Sequence, residues 1–232
     1  MGASLSVRDI TVQFGSAMVL DGVSLNCVTK PLALVGRNGV GKTTLCKAIM
    51  GLVGIAAGTI ELDGRRVDGR RPEQVAARGI GYVPQGRRIF GSLTVEENLL
   101  VVSPRAAEPY TLERIWERFP RLSERRTNLG TQLSGGEQQM LAIARALRTN
   151  PKMLIMDEPT EGVAPIFVDQ LVSLIADICR TGIGLLLVEQ NLRVAAAIAE
   201  LALVMVNGRI VMQTPTSSLL DDEMAQRTFL GL

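Results

Sequence analysis

The run Gly36-Arg37-Asn38-Gly39-Val40-Gly41-Lys42-Thr43 fits the pattern G-x-x-x-x-G-K-[ST] at every fixed position. Residues of these types at this spacing hold a polyphosphate. Gly36, Gly39 and Gly41 have no side chain to keep backbone N–H groups from converging on phosphate oxygens, and Asn38 and Thr44 belong to the same cradle. Lys42 supplies a point charge for the β- and γ-phosphates, and the Thr43 hydroxyl is placed for Mg²⁺. A glycine-rich turn can match by chance, so the flanks matter. Apolar Pro31-Leu32-Ala33-Leu34-Val35 reads as a strand before it, and a helical stretch from about 42 to 50 follows, the order a phosphate-binding loop needs.

A second chemical element ends another apolar run. Met153-Leu154-Ile155-Met156 reads as a buried strand, and Asp157 and Glu158 follow at once. Acids at the end of a buried strand are costly unless they face a cation or a polar site. Beside a phosphate loop, Asp157 would hold Mg²⁺ through its water shell, and Glu158 would orient or deprotonate an attacking water. Alone the pair is weak evidence, because many loops begin with acids; the phosphate loop upstream gives it meaning. The third element is Leu133-Ser134-Gly135-Gly136-Glu137-Gln138-Gln139. Ser134, Gly135 and Gly136 open a helix with free N–H groups and the helix dipole behind them, which makes a second anion-binding nest. A plain helix cap uses the same residues, with Ser134 as N-cap and Glu137 closing a capping box. Capping does not explain why a chain with one phosphate nest should have another.

The elements that position these residues follow from the apolar pattern. Leu5 to Val28 alternates apolar and polar residues, with Gly15 and Gly22 as turn markers, and reads as antiparallel strands. Gly58 to Gly64 reads as one more strand closed by an Asp-Gly turn. From about Gly86 to Asn150 the pattern is helical: Leu112, Ile115, Trp116 and Phe119 recur at helical spacing up to Pro120, and Leu141, Ala144 and Leu147 do the same. Those stripes are core packing. The apolar runs 153–156 and 184–188, separated by a helix from about Pro165 to Cys179, indicate a parallel sheet. The expectation is one α/β domain over 1–232. Its mixed-sheet core lobe spans 1–85 and 151–232, with antiparallel strands at the N-terminal edge, and a helical lobe over 86–150 carries Ser134.

Composition narrows the class. With 232 residues the chain can bury a substantial core without disulfides or metals, and a net charge of +2 gives no basic stripe for nucleic acid. Cys27, Cys46 and Cys179 are far apart and form no C-x-x-C pair, which argues against a disulfide framework or a zinc site. Histidine is absent. Met1 to Phe14 has charged residues and no uninterrupted apolar core, so it does not read as a signal peptide. Val194 to Val206 is too short to span a bilayer. The cysteine usage fits a reducing cytosol, and if the chain works at a membrane it does so through another subunit.

Taken together, the phosphate loop at 36–43, Leu-Ser-Gly-Gly-Glu at 133–137 and the acids at 157–158 resemble, in order and spacing, the ATPase subunits of ABC transporters, over nearly the whole chain. The resemblance implies ATP with Mg²⁺ at the seam of two cassettes paired head to tail, where Ser134, Gly135 and Gly136 of one close over ATP held by the other. It implies further that Phe14 stacks on adenine and that Gln85 senses Mg²⁺ and contacts the transmembrane subunit. The segment after Val188 resembles the switch region. Most family members carry a histidine there, but this chain has Gln190, which can donate to phosphate but holds no charge at neutral pH. After Glu158, Pro159-Thr160-Glu161-Gly162-Val163-Ala164 replaces the usual run ending in aspartate.

These departures, with Gly86-Arg87-Arg88-Ile89-Phe90 and Leu93-Thr94-Val95-Glu96-Glu97-Asn98, are similar to one subfamily: the shorter ATPase subunit of bacterial high-affinity branched-chain amino-acid importers. By that resemblance the partners are a second cassette, different in the cell though an identical one is possible, two permease subunits and, indirectly, a periplasmic or surface binding protein. Tyr82-Val83-Pro84-Gln85 is similar to a sister group serving urea uptake. Ile89, Phe90, Leu93 and Val95 either line the groove for a permease helix or fill the core. A soluble machine acting on DNA or ribosomes fits less well, because residues 44–132 show no sustained heptads and each motif occurs once. A weakly hydrolysing regulatory subunit stays open because of Gln190.

Overall fold

A computed structural model describes residues 3–102 and 110–231; residues 103–109 of the expected helical stretch lie outside the described residues. Apolar–polar alternation at the N terminus builds a hairpin. β1 (Leu5–Phe14) and β2 (Ala17–Cys27) pair antiparallel, with Leu5 opposite Cys27 and Phe14 opposite Ala17. Gly15 turns the hairpin at φ 59°. Gly22, read as a turn from sequence, instead sits inside β2 at φ 64°, where the register shifts between Ile10–Val23 and Val12–Leu20. It is a bulge that bends the strand rather than ending it. β3 (Leu32–Val35) and α1 (Lys42–Ile49) come next. β4 (Ala57–Leu62) then joins β1, and β5 (Arg65–Arg66) folds back on it through Asp63 and Gly64, both at positive φ. This sheet runs β2-β1-β4-β5.

The second sheet gathers the rest. α2 (Pro72–Ala77) leads into β6 (Ile80–Val83). Helices α3 (Val95–Leu100), α4 (Leu112–Arg118), α5 (Pro120–Glu124) and α6 (Gly135–Arg148) follow. α4 stops before Pro120, which opens α5, and the expected stripe buries Ile115 and Phe119. β7 (Met153–Asp157), α7 (Pro165–Arg180), β8 (Gly184–Glu189), α8 (Leu192–Ile198), β9 (Leu201–Val206), β10 (Arg209–Pro215) and α9 (Thr216–Asp221) come next, and two short helical turns, Glu223–Ala225 and Gln226–Leu230, end the order. The strands lie β10-β9-β3-β8-β7-β6, all parallel except β10.

Both faces of the parallel strands are covered, which is why they read as continuous apolar runs. Met153 and Ile155 pack with Leu45, Cys46 and Ile49 of α1 and the inner face of the antiparallel sheet. Leu154 and Met156 point the other way, onto Leu141, Leu147, Leu171 and Ile175 of α6 and α7. Ala33, Val35, Ala202 and Val204 pack against α8 and α9. Each wholly buried Leu or Ile in these layers contributes about 1.5–3 kcal/mol of transfer free energy. The layers therefore hold the carboxyl ends of the parallel strands rigidly in one row.

Candidate functional site

Four neighbouring parallel strands, β3, β8, β7 and β6, each release a chemically distinct segment at the carboxyl end, where open α/β sheets place their ligands. β3 passes into the glycine loop. A Cβ on Gly36 would lie 2.5 Å from the Met205 carbonyl, and one on Gly41, at φ 110°, would lie 2.8 Å from Leu20. Gly39, at φ 80°, faces open space. Two glycines let the loop floor pack, and the third permits its left-handed turn. Lys42, 4% exposed, reaches back beneath the loop. Its Nζ donates to the Gly36 carbonyl at 2.8 Å and the Arg37 carbonyl at 2.9 Å, and pairs with Glu158 Oε1 at 3.1 Å.

β7 delivers the acids. Asp157 is wholly buried, and burial pushes its carboxyl above the ordinary range against the bond from Thr43. Thr43 Oγ1 and the Tyr82 hydroxyl each donate to it at 3.2 Å. Glu158 turns the chain in the left-handed region at φ 49°, and its N–H donates to the Val188 carbonyl of β8 at 2.8 Å. A non-glycine residue there stores strain, which a packed site can hold. β6 leads to Gln85, whose Nε2 donates to Glu158 at 3.2 Å and to Glu161 at 2.8 Å. Two bonded groups thus meet at the loop mouth, Lys42–Glu158–Gln85 and Thr43–Asp157–Tyr82, side by side because Lys42 and Thr43, and Asp157 and Glu158, are chain neighbours. Thr43 Oγ1 and Asp157 Oδ1 are hard oxygen donors side by side at the loop mouth, a donor set that suits Mg²⁺, which takes one or two protein oxygens and phosphate.

The other expected residues lie around these groups. Phe14 is 53% exposed at the tip of the hairpin whose Val19 and Leu20 pack against Gly41. Gln190 is half-buried at the end of β8, and Asn191 after it caps α8 by accepting from the N–H groups of Arg193 and Val194. Ser134 caps α6 and Glu137 answers it, Ser134 N–H donating to Glu137 Oε2 at 2.8 Å. A Cβ on Gly135 would meet the Arg87 guanidinium at 2.9 Å, a side-chain end that can swing aside, and one on Gly136 would press on the Phe167 ring at 3.1 Å. Arg87 donates to the Gly162 carbonyl at 2.7 Å and so ties the capped turn to the loop after Glu158. Among the described residues no hydrogen bond joins Ser134, Gly135 or Gly136 to the Lys42–Glu158 set.

Four residues carry contacts for which the sequence assigned them no individual role. Tyr82 holds Asp157, Arg87 lies on Gly135, and Glu189 binds Thr160 at 2.7 Å. Glu189 could have been found by the rule that marks Asp157, since it too is an acid ending a buried strand. Asn98 is wholly buried, accepts from Phe90 N–H and donates to the Phe90, Leu93 and Thr94 carbonyls. Of the four apolar residues left between groove and core, Val95 is buried, Ile89 and Leu93 are half-buried, and Phe90 is 51% exposed under Arg145.

A strand, a glycine cradle and a helix, with an acid pair two strands away in the same sheet, define a nucleoside-triphosphate-binding α/β fold of the phosphate-loop type. Known proteins narrow that class. The family described as ABC transporter matches residues 20–161. The high-affinity branched-chain amino acid transport ATP-binding protein BraG of Pseudomonas aeruginosa is 38% identical over 231 residues, covering 98% of this chain and 99% of BraG. The lipopolysaccharide export system ATP-binding protein LptB of Haemophilus influenzae is 36% identical, covering 98% and 97%. A crystal structure of a nucleotide-free ATP-binding cassette from an ABC transporter superposes with a TM-score of 0.84 at 27% identity, covering 96% of each chain. The chain belongs to the ATP-binding proteins of ABC transporters, and as such it is an ATPase.

Proposed function

We propose that this ATPase powers import of branched-chain or other hydrophobic amino acids through membrane permease subunits. The single observation that carries its chemistry is the bonded group at the carboxyl ends of β3, β6 and β7, in which Lys42 spans the glycine loop and Glu158. On this reading Gly36, Asn38, Gly39, Gly41 and Thr44 present the loop to the triphosphate, and Phe14 stacks on adenine. Lys42 meets the β- and γ-phosphates and releases Glu158 as it does so. Thr43, Asp157 and Gln85 would hold Mg²⁺, which would supply positive charge to offset that of the phosphates. Glu158 then orients the attacking water and takes its proton, and Gln190 donates to the γ-phosphate.

Ser134, Gly135 and Gly136 serve a second cassette's ATP. They are already a capped helix start, and among the described residues no hydrogen bond ties them to the chain's own phosphate loop, which fits a role in trans. The second cassette is a related chain, with an identical chain as the alternative. The division into a core lobe (1–85 and 151–232) and a helical lobe (86–150) belongs to the same proposal. It is supported by the helices between β6 and β7, which pack on the face of the sheet opposite α1. Among the described residues no helix is long and apolar enough to cross a membrane. The proposed membrane contact therefore runs through permease subunits, at the cytoplasmic face.

The amino-acid reading is supported by the name of the BraG relative and by the resemblance carried by the runs 86–90 and 93–98, the run 159–164 and Gln190. A second reading, lipopolysaccharide export, is favoured by the LptB relative at nearly the same identity. The test is uptake of labelled leucine and of labelled urea in cells carrying the wild-type chain or Lys42→Ala, with surface lipopolysaccharide measured in parallel. Loss of leucine uptake alone supports the proposal. Loss of urea uptake or of surface lipopolysaccharide alone replaces it with the corresponding transporter.

A further inference from the structure

Glu189 ends β8 and has no part in the roles above. It is 2% exposed, and the rest of its strand, Gly184 to Val188, is buried and without a polar side chain. A carboxylate in such a place costs free energy unless its lone pairs are used. They are used from two directions. One oxygen accepts from Thr160 N–H at 3.2 Å and from Thr160 Oγ1 at 2.7 Å. The other accepts from Asn191 N–H at 3.3 Å. Among the described residues no cation pairs with it. Burial pushes the carboxyl up, the bonds from Thr160 and Asn191 oppose that, and the nearby Glu158 adds to the rise.

All three donors belong to the segments that flank the proposed chemistry. Thr160 stands two residues after Glu158, and Asn191 immediately follows Gln190. If the strand end needed only filling, an apolar side chain would do it without the desolvation cost. An acceptor-only group facing three donors is what joining two loops requires. We infer that Glu189 is a positioning residue whose carboxylate clamps the Thr160 loop to the Asn191 turn, setting the distance between Glu158 and the Gln190 amide. This inference rests on the proposed roles of Glu158 and Gln190.

The test opens the clamp at each end without changing side-chain volume. In Glu189→Gln the amide oxygen keeps Thr160, but the amide N–H₂ faces the Asn191 N–H, donor against donor. Thr160→Val removes the hydroxyl from the other end, and Thr160→Ser restores it. ATP turnover of the full chain is measured with nucleotide affinity and melting temperature. A misplacement of about an ångström at a reacting group costs up to ~100-fold. The expected result is a loss of kcat of roughly tenfold to 100-fold in Glu189→Gln and Thr160→Val, with KM for ATP little changed and Thr160→Ser close to wild type. In a Gln190→Ala background Glu189→Gln should have no further effect, because the clamp acts through Gln190.

Unchanged kcat in both clamp variants, a rise in KM alone, or losses that multiply in the Gln190→Ala background would overturn the inference. Should Glu189→Gln fail to fold, the Thr160 pair decides in the same way. Glu158→Gln measured alongside separates the two levels. If it retains full turnover, the reading of the site itself has failed; if it is inactive while the clamp variants are not, only the clamp has failed.

Discussion

Removing Lys42 should destabilise the nucleotide-free protein before any question of catalysis arises. The ammonium is 4% exposed and spends its three donors on the Gly36 carbonyl, the Arg37 carbonyl and Glu158. Lys42→Met keeps the length of the side chain but leaves Glu158, 7% exposed, with no cation partner among the described residues. Taking one partner from a buried ion pair costs about 3–5 kcal/mol. Glu158→Gln is milder, because Lys42 retains both carbonyls. The new amide has one oxygen for two donors, Lys42 and Gln85, so about 1–3 kcal/mol is lost. The double variant no longer strands a carboxylate at 158 and should fall short of the sum by ~1–3 kcal/mol. Urea unfolding of the four proteins without nucleotide or Mg²⁺ measures all of this. Lys42→Met within about 1 kcal/mol of wild type, or strict additivity in the double variant, would refute the argument that the pair holds the empty site together.

Gln190→His should raise ATP turnover several-fold, up to about tenfold, since a partly protonated imidazole makes a charge-assisted bond to phosphate; an unchanged or lower rate would contradict this. Glu189 makes stability depend on pH with a definite sign. Its folded carboxyl lies above the ordinary value, so its contribution is fully present below that ordinary value and is lost as pH rises through the folded one. Wild type should therefore lose stability relative to Glu189→Gln as pH climbs from about 4, then run parallel to it, in urea midpoints; a constant gap would refute the direction. Gly36→Ala places a Cβ 2.5 Å from the Met205 carbonyl, a backbone atom that cannot swing aside, and should cost about 1–3 kcal/mol together with nucleotide binding. Phe90→Asp should leave ATPase activity intact but abolish transport in reconstituted vesicles, because Asn98 holds the loop backbone and the ring is half exposed; full transport would remove Phe90 from the docking surface.

What was legible in the sequence was local chemistry. The cradle at 36–43 needs glycines at fixed offsets because neighbouring N–H groups must point one way, and that demand is written in consecutive residues. The same holds for the capping box, where Ser134 and Glu137 meet across one helical turn. Strands buried on both faces read as apolar runs, so β3, β7 and β8 were visible. β6 was not, because it is short and interrupted by Gly81, whose missing Cβ makes room for Pro151 and Leu154. Nor was β9, because Val194 to Val206 reads as one apolar stretch, although the chain leaves α8 at Ala199 and begins a strand at Leu201.

Read alone, the residues fixed local features: a glycine loop between strand and helix, an acid pair at a strand end, and a capped helix start with two glycines. What each group touches came from the packing of the whole chain. Lys42 reaches Glu158, Tyr82 reaches Asp157, Arg87 covers Gly135 and Glu189 clamps Thr160 to Asn191. The reason is geometric. A motif is specified by backbone geometry over a few consecutive residues, whereas these contacts join strand ends that become neighbours only when the order β3-β8-β7-β6 is set by packing both faces of the sheet.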